Sequence, residues 1–310
     1  MEEQFSSKLH SALNRQFRPY SNNVFLSENI VIGENGYEVT KYVRDYSDDS
    51  VKPLKRCFKI DELSFNRFFS FSRFFQGVEE KKFVFISPSK WKDPFEKINL
   101  LRDDIYCICS TYEKSENEEA LWKAYNDTSD EDKTVRISFG FEKMLDAFGK
   151  YEKEYDFYIS PMDYYFSRDE ILKISKYIKQ IPNLSLVNQI NALCLKRKAF
   201  SYENEIRILV VKKGMEKSSE GNGHCHLKNF DYQSGIISNV TLPPLSPFSE
   251  GDSREKLYPQ LQFFSNYSYY LYFNTFMDSK KIAQSHLYEL SGNTFKAMEK
   301  KFKIEKLTNK

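Results

Sequence analysis

The sequence predicts an α+β fold, with a mixed, mostly antiparallel central sheet flanked by helices. Three observations lead there. Short segments rich in Val, Ile, Phe and Tyr recur along the chain, bounded by Gly, Pro, Asp and Ser, as strands are. Helical patterns fall between some of them without the strict alternation of a doubly wound parallel sheet. The 27 Phe and 21 Tyr can fill a core, which excludes extensive disorder.

Three parts are expected. Residues 1–54 are polar and weakly periodic, with Asn35-Gly36 and the turn Ser47-Asp48-Asp49-Ser50, and read as a loosely attached N-terminal arm. Residues 55–276 read as a core domain of catalytic type. Residues 277–310 read as a basic helix or tail. From Lys280 to Lys310 there are eight lysines against three acids, so the tail suits either a solvated helix or a contact with RNA or an acidic partner.

Within the core, KRCFKI (55–60) suits a short strand. Ser64 is placed to cap a helix running through FNRFFSFSRFF to Gly77. KKFVFIS (81–87) is a strand ended by Pro88, and the loop SPSKWKDPFE follows. DDIYCICS (103–110) and KTVRISFG (133–140) are strands on either side of a helix over EEALWKAY. A helix over about 141–150 and a strand pair around YDFYIS and MDYYFS come next. Residues 168–200 have a helical pattern broken at Pro182. Strands follow at 204–211 and in GIISNVTLPP (235–244).

Composition removes several function classes. A net charge of +2 gives no bulk attraction for polyanions. MEEQFSSKLH lacks the basic and then apolar pattern of a secretory leader, and no run approaches the roughly 18 apolar residues of a membrane span. Five scattered cysteines suit a reduced, cytoplasmic protein with no membrane partner. Cys107 and Cys109, two apart on a strand, read as core sulfurs. No phosphate-binding glycine loop and no G-x-S-x-G is present. His224-Cys225-His226 lacks a second ligand pair at metal spacing, so no metal is expected.

Two stretches carry candidate chemistry. SYENEIRILVV (201–211), read as a strand, puts Ile206, Ile208 and Val210 on one face and Glu203, Glu205 and Arg207 on the other. That pattern fits a half-exposed ionic face, and it equally fits acids held for catalysis. In SPSKWKDPFE (87–96), Trp91 and Phe95 are large apolar groups in a loop. They suit a packing anchor or the wall of a ring-binding pocket, with Asp93 or Glu96 orienting polar groups. The aromatic run FFSNYSYYLYFNTF (263–276) has no interleaved Lys or Arg, and reads as core packing rather than a single-strand stacking platform.

The order of these pieces is Phe58-Lys59, FVFISPSKWKDPFE, a strand ending CICS, EALWKAY, RISFGF, K-x-x-x-Y-E-x-E-x-R from Lys198 to Arg207, and IISNVTLPP. Over roughly residues 55–250 it resembles a bacterial domain-of-unknown-function family, DUF twenty-nine-seventy-one. The chain departs from that family at Lys92, where Asn is usual. The resemblance implies an ADP-ribosyltransferase-like core that uses NAD as substrate, and a toxin of anti-phage defence with a macromolecular acceptor such as RNA and with antitoxin and chaperone partners. It implies Glu205 as the catalytic carboxylate, with Glu203 beside it to position the acceptor or Glu205 itself. Lys59, Ser87, Trp91, Tyr125 and Arg207 would then contact NAD or set the charge around it. An NAD glycohydrolase, a nuclease and a non-enzymatic nucleic-acid or peptide-binding module are the competing expectations.

Overall fold

The computed structural model describes residues 2–45, 47–48, 50–91, 93–97, 102–112, 118–125, 134–181, 184–214, 223–232, 235–244, 266 and 268–285. Lys92, residues 215–222 and the basic stretch from 286 onward lie outside the described residues.

The chain opens with helix α1 (Glu2–Leu13), then strands β1 (Phe17–Pro19), β2 (Val24–Ser27), β3 (Ile30–Gly33), β4 (Gly36–Asp45) and β5 (Ser50–Lys59). Strand β6 (Ser64–Ser70) runs into α2 (Phe71–Glu79), and β7 (Lys82–Ile86) leads to the short helix α3 (Pro94–Lys97). Next come β8 (Ile105–Thr111), α4 (Glu118–Tyr125), β9 (Thr134–Gly140), α5 (Phe141–Gly149), β10 (Tyr155–Pro161) and β11 (Asp163–Phe166). Helices α6 (Arg168–Gln180) and α7 (Leu186–Leu193) precede β12 (Leu195–Arg197), β13 (Glu205–Lys212), β14 (His224–Lys228), β15 (Ile237–Leu242) and β16 (Ile282–Gln284).

The architecture is α+β, with a mostly antiparallel sheet flanked by helices. Two compact units divide the chain. One comprises Met1–Arg67, Gln76–Asn117 and Phe139–Ile236, the other Phe68–Phe75, Glu118–Ser138 and Ile237–Lys310. No described helix is long and apolar enough to cross a membrane.

In the first unit the main sheet runs β1-β2-β10-β13-β8, with β7 and β14 branching from β8. All these pairs are antiparallel except β2 with β10. A second sheet runs β12-β11-β4-β3, with β5 also on β4. Gly36 begins β4 opposite Lys59 with φ of 151°, and a Cβ there would meet the Phe58 carbonyl oxygen at 1.9 Å. Only glycine permits that approach.

Strand β13 is central, held between β10 and β8, so both its faces are buried. Ile206, Ile208 and Val210 fill one side. Leu209 and Val211 share the other with Ile105, Cys107, Met162, Tyr164 and Leu193. Helix α6 starts on a capping box between Ser167 and Glu170, and Ile171, Ile174 and Ile178 bury its apolar stripe. That stripe packs with Leu9, Ala12 and Leu13 of α1.

Three segments differ from the expectation. Residues 1–54 are built into the first unit, because Val24, Leu26, Tyr37 and Val39 are buried and β2 and β4 pair with later strands. The aromatic run from Ser64 is first a strand, since Asn66 pairs with Thr111 of β8, and becomes helical only at Phe71. After Leu193 the helical pattern stops: Leu195–Arg197 extend as β12 and Lys198–Glu203 wind as a 3-10 helix.

In the second unit, residues 268–274 are helical, and Phe273 and Tyr269 pack against Phe71. The described part of the aromatic run is therefore core packing.

Candidate functional site

Strand β13 starts at Glu205, one residue later than the sequence pattern suggested, so Glu203 is not on the strand. Glu203 ends the 3-10 helix, and Asn204 between them is left-handed, with φ of 46° and ψ of 48°. Asparagine tolerates that conformation better than most residues. Lys41 fixes the bend by donating to the Ser201 carbonyl at 2.9 Å and to the Asn204 side-chain oxygen. The reversal brings both glutamates to one cation. Lys196 Nζ lies 2.7 Å from Glu203 Oε2 and 2.7 Å from Glu205 Oε2.

The loop predicted as a pocket wall supplies the rest. Its first serine, Ser87, caps the 3-10 turn at Pro88–Lys90, with its hydroxyl accepting from the Ser89 N–H at 3.3 Å. Asp93 accepts from the Phe95 N–H at 2.8 Å and starts α3, which carries Glu96 inward. Glu96 Oε1 lies 3.2 Å from Lys196 Nζ, and Glu96 Oε2 pairs with Arg207. Arg207 Nε donates to Glu205 Oε1 at 2.7 Å, another guanidinium nitrogen donates to the Leu193 carbonyl, and the guanidinium lies 4.2 Å from the centre of the Trp91 ring. The Glu205 N–H donates to Tyr164 Oη at 3.0 Å.

Three carboxylates and two cations thus share one buried cluster. The side chains of Arg207 and Glu205 are 1% and 3% exposed, while Glu203 keeps 11%. Burial pushes the Glu205 carboxyl up, but Arg207 and Lys196 outweigh it and hold the acid well below the usual carboxylate range. Glu203 goes the other way, to about 7. Its burial and the repulsion of Glu205 and Glu96 exceed the attraction of Lys196, which it must share. Burial disfavours the charged forms of Lys196 and Arg207, yet the surrounding glutamates keep both firmly protonated.

The rim is half-open and mixes rings with cations. Arg197 pairs with Asp93 at 2.7 Å and lies 4.7 Å from the Phe95 ring centre and 4.8 Å from that of Phe200. Exposed Arg168 lies 4.8 Å from the Phe95 ring centre.

Of the residues chosen from sequence, Glu203, Glu205, Arg207 and Trp91 meet here, and Ser87 begins the loop that delivers Trp91. Lys59 does not join them. It ends strand β5 with its side chain 77% exposed, and its ion partner is Glu62 at 3.7 Å. Tyr125 belongs to the other compact unit, where its ring stacks on Phe68 at 5.1 Å. Trp122 is buried there, edge-on to the same Phe68.

Sequence reasoning missed Lys196, the centre of the cluster. It sits in CLKRK with no periodic sign that sets it apart from Arg197 and Lys198. The helical pattern expected over 168–200 covers it, whereas the structure extends Leu195–Arg197 as β12. No protein-family model, curated protein or solved structure matches this chain.

Proposed function

We propose that the chain is an NAD-dependent ADP-ribosyltransferase with an ADP-ribosyltransferase-like core, acting on a macromolecular acceptor of which RNA is the first to test. The observation that supports this reading is the divergence of two neighbouring carboxylates on one ammonium. Glu205 stays ionised at neutral pH, whereas Glu203, the more accessible, is poised near 7. Acids driven apart in this way divide the tasks of charge stabilisation and proton transfer.

Cleavage of the nicotinamide–ribose bond sends the bonding pair to nicotinamide and leaves positive charge on the ribose. The fixed Glu205 carboxylate supplies a favourable field for that charge. The acceptor hydroxyl forms the new bond to the ribose and passes its proton to Glu203. Lys196 and Arg207 position the two acids. The toxin role in anti-phage defence, antitoxin and chaperone partners, and a cytoplasmic setting follow from the family resemblance and belong to the same proposal.

A second reading has its own support. Both Glu205 oxygens are taken by cations, which suits a purely architectural lattice in a binding protein.

The test is incubation of labelled NAD with total RNA and protein. The enzyme reading expects label in a macromolecule, and a loss of about 10²–10⁴-fold in Glu203→Gln with the fold retained. Free ADP-ribose alone would mean a glycohydrolase. RNA cleavage without NAD would mean a nuclease. Full activity in a folded Glu203→Gln protein, or no NAD turnover at all, would sink the transferase assignment.

A further inference from the structure

Helix α6 begins at the rim of the ionic cluster, where Arg168 lies 4.8 Å from the Phe95 ring centre. Ile171, Ile174 and Ile178 bury its inner stripe. Arg168, Leu172, Lys176 and Lys179 are all exposed. At about 100° per residue these four fall within a sector of about 80°, so they form one row, about 16 Å long.

We infer that this row docks single-stranded RNA and leads it to the cluster at Glu203. The choice of partner rests on the acceptor reading above. Charge carries the location. Arg168, Lys176 and Lys179 have no acid or hydrogen-bond partner among the described residues. The acids of α6 do not cancel them. Glu170 pairs with Arg44 and closes the capping box, which leaves exposed Asp169 against three cations. Lys173 is already engaged and is left out of that count. On strand β5, by contrast, Lys52, Lys55 and Lys59 each meet an acid. A row of cations with a surplus of positive charge suits the phosphates of one strand.

The rings select an unpaired strand. Phe95 lies between Arg168 and Arg197 in the contact series, and Arg197 lies 4.8 Å from the centre of the Phe200 ring. Lys196, which holds Glu203, lies 5.0 Å from that same ring centre. Asp93 and the glutamates match the charges of Arg197 and Lys196, so this stretch adds rings rather than net charge. Phe95 steadies Arg168 as a planar group at the surface, and an unpaired base stacks on such a plane. Leu172, 41% exposed, offers the next apolar surface in the row. A duplex hides its base faces, and an acidic peptide has none.

The experiment is fluorescence anisotropy of the full chain with a labelled oligouridylate of about ten nucleotides, without NAD. The same oligomer annealed to oligoadenylate, and a polyglutamate peptide as competitor, are separate arms. The single strand is expected to bind, with log K falling against log salt at a slope of about −2, as three phosphate contacts give. Lys176→Gln combined with Lys179→Gln should weaken binding about tenfold at low salt and bring the slope to about −0.7. The thermal midpoint should not move, since both side chains are exposed. Arg168→Lys keeps the charge but loses the plane, and should weaken the single strand about fivefold at an unchanged slope. No binding, undiminished binding in the double variant, or a duplex or polyglutamate that binds as well as the single strand would overturn the inference. RNA binding through α6 without any NAD turnover would sink the transferase reading and leave this one standing. Labelled RNA together with undiminished binding in the double variant would do the reverse.

Discussion

Strands β13 and β5 both carry charged side chains, and both pair them at nearly the same distance. On β5, Lys55 reaches Glu38 of β4 at 2.9 Å and Lys52 reaches Asp45 at 2.6 Å. On β13, Arg207 reaches Glu205 at 2.7 Å. The surroundings differ. The Lys55 side chain is 58% exposed, and water screens its pair, whereas the Arg207 cluster lies beneath the loop at Trp91 and helix α3. An ion pair on a surface contributes little, because solvent already stabilises both charges. Inside a protein the same charges hold one another in place, and removing one leaves the rest without solvation.

The largest expected effect tests that difference at Arg207. Arg207→Leu should cost about 3–5 kcal/mol, read as a fall in the urea midpoint, because Glu205 and Glu96 lose one of the two cations they share and Leu193 loses its donor. Glu205→Gln should cost somewhat less, since Arg207 keeps Glu96 and Lys196 keeps Glu203 and Glu96. The double variant Arg207→Leu with Glu205→Gln should cost less than the sum of the two singles. A double variant as unstable as the sum of the two singles would remove the case for coupling.

A pH series sharpens the comparison further. The folded pKa of Glu205 is depressed, so its contribution is complete above the unfolded value of about 4.3 and is lost as pH falls below that. The folded pKa of Glu203 is raised, so its contribution is complete below about 4.3 and is lost as pH rises through about 7. Urea midpoints from about pH 3 to pH 8 should therefore flatten on the acid side in Glu205→Gln and on the neutral side in Glu203→Gln.

The smallest effects belong to the exposed pairs. Lys55→Ala and Lys59→Ala should leave the melting temperature unchanged at physiological salt. A clear drop for either would mean that β5 is not the solvated counterpart of β13.

Much of the fold was legible from local pattern. The β-branched and aromatic runs at 82–86, 105–111, 134–140 and 205–212 are strands, and α4 and α5 lie where their apolar spacing put them. The segment from Ser64 was misread because FNRFFSFSRFF is apolar at both helical and strand periods, and pairing with β8 decided between them. The N-terminal residues differ from the expectation because strands as short as VFLS and IVIG carry too few residues to show a period, and β2 and β4 pair with strands far along the chain.

The candidate site divides the same way. Glu203, Glu205, Arg207 and Trp91 stood out as unusual residues in their own segments. What they do to one another could not be read, since Arg207 and Glu96 lie 111 residues apart and Arg197 and Asp93 lie 104 apart.

By itself the sequence determined the alternation of β13, the acids at its start and the loop that begins at Ser87. Those are local choices of side chain and backbone. Only the tertiary structure decided that β13 is buried on both faces, that Asn204 bends Glu203 back to Lys196, and that one glutamate is held ionised while its neighbour is pushed toward neutrality. Burial and charge pairing depend on which distant segments share one small volume, and no single segment carries that information.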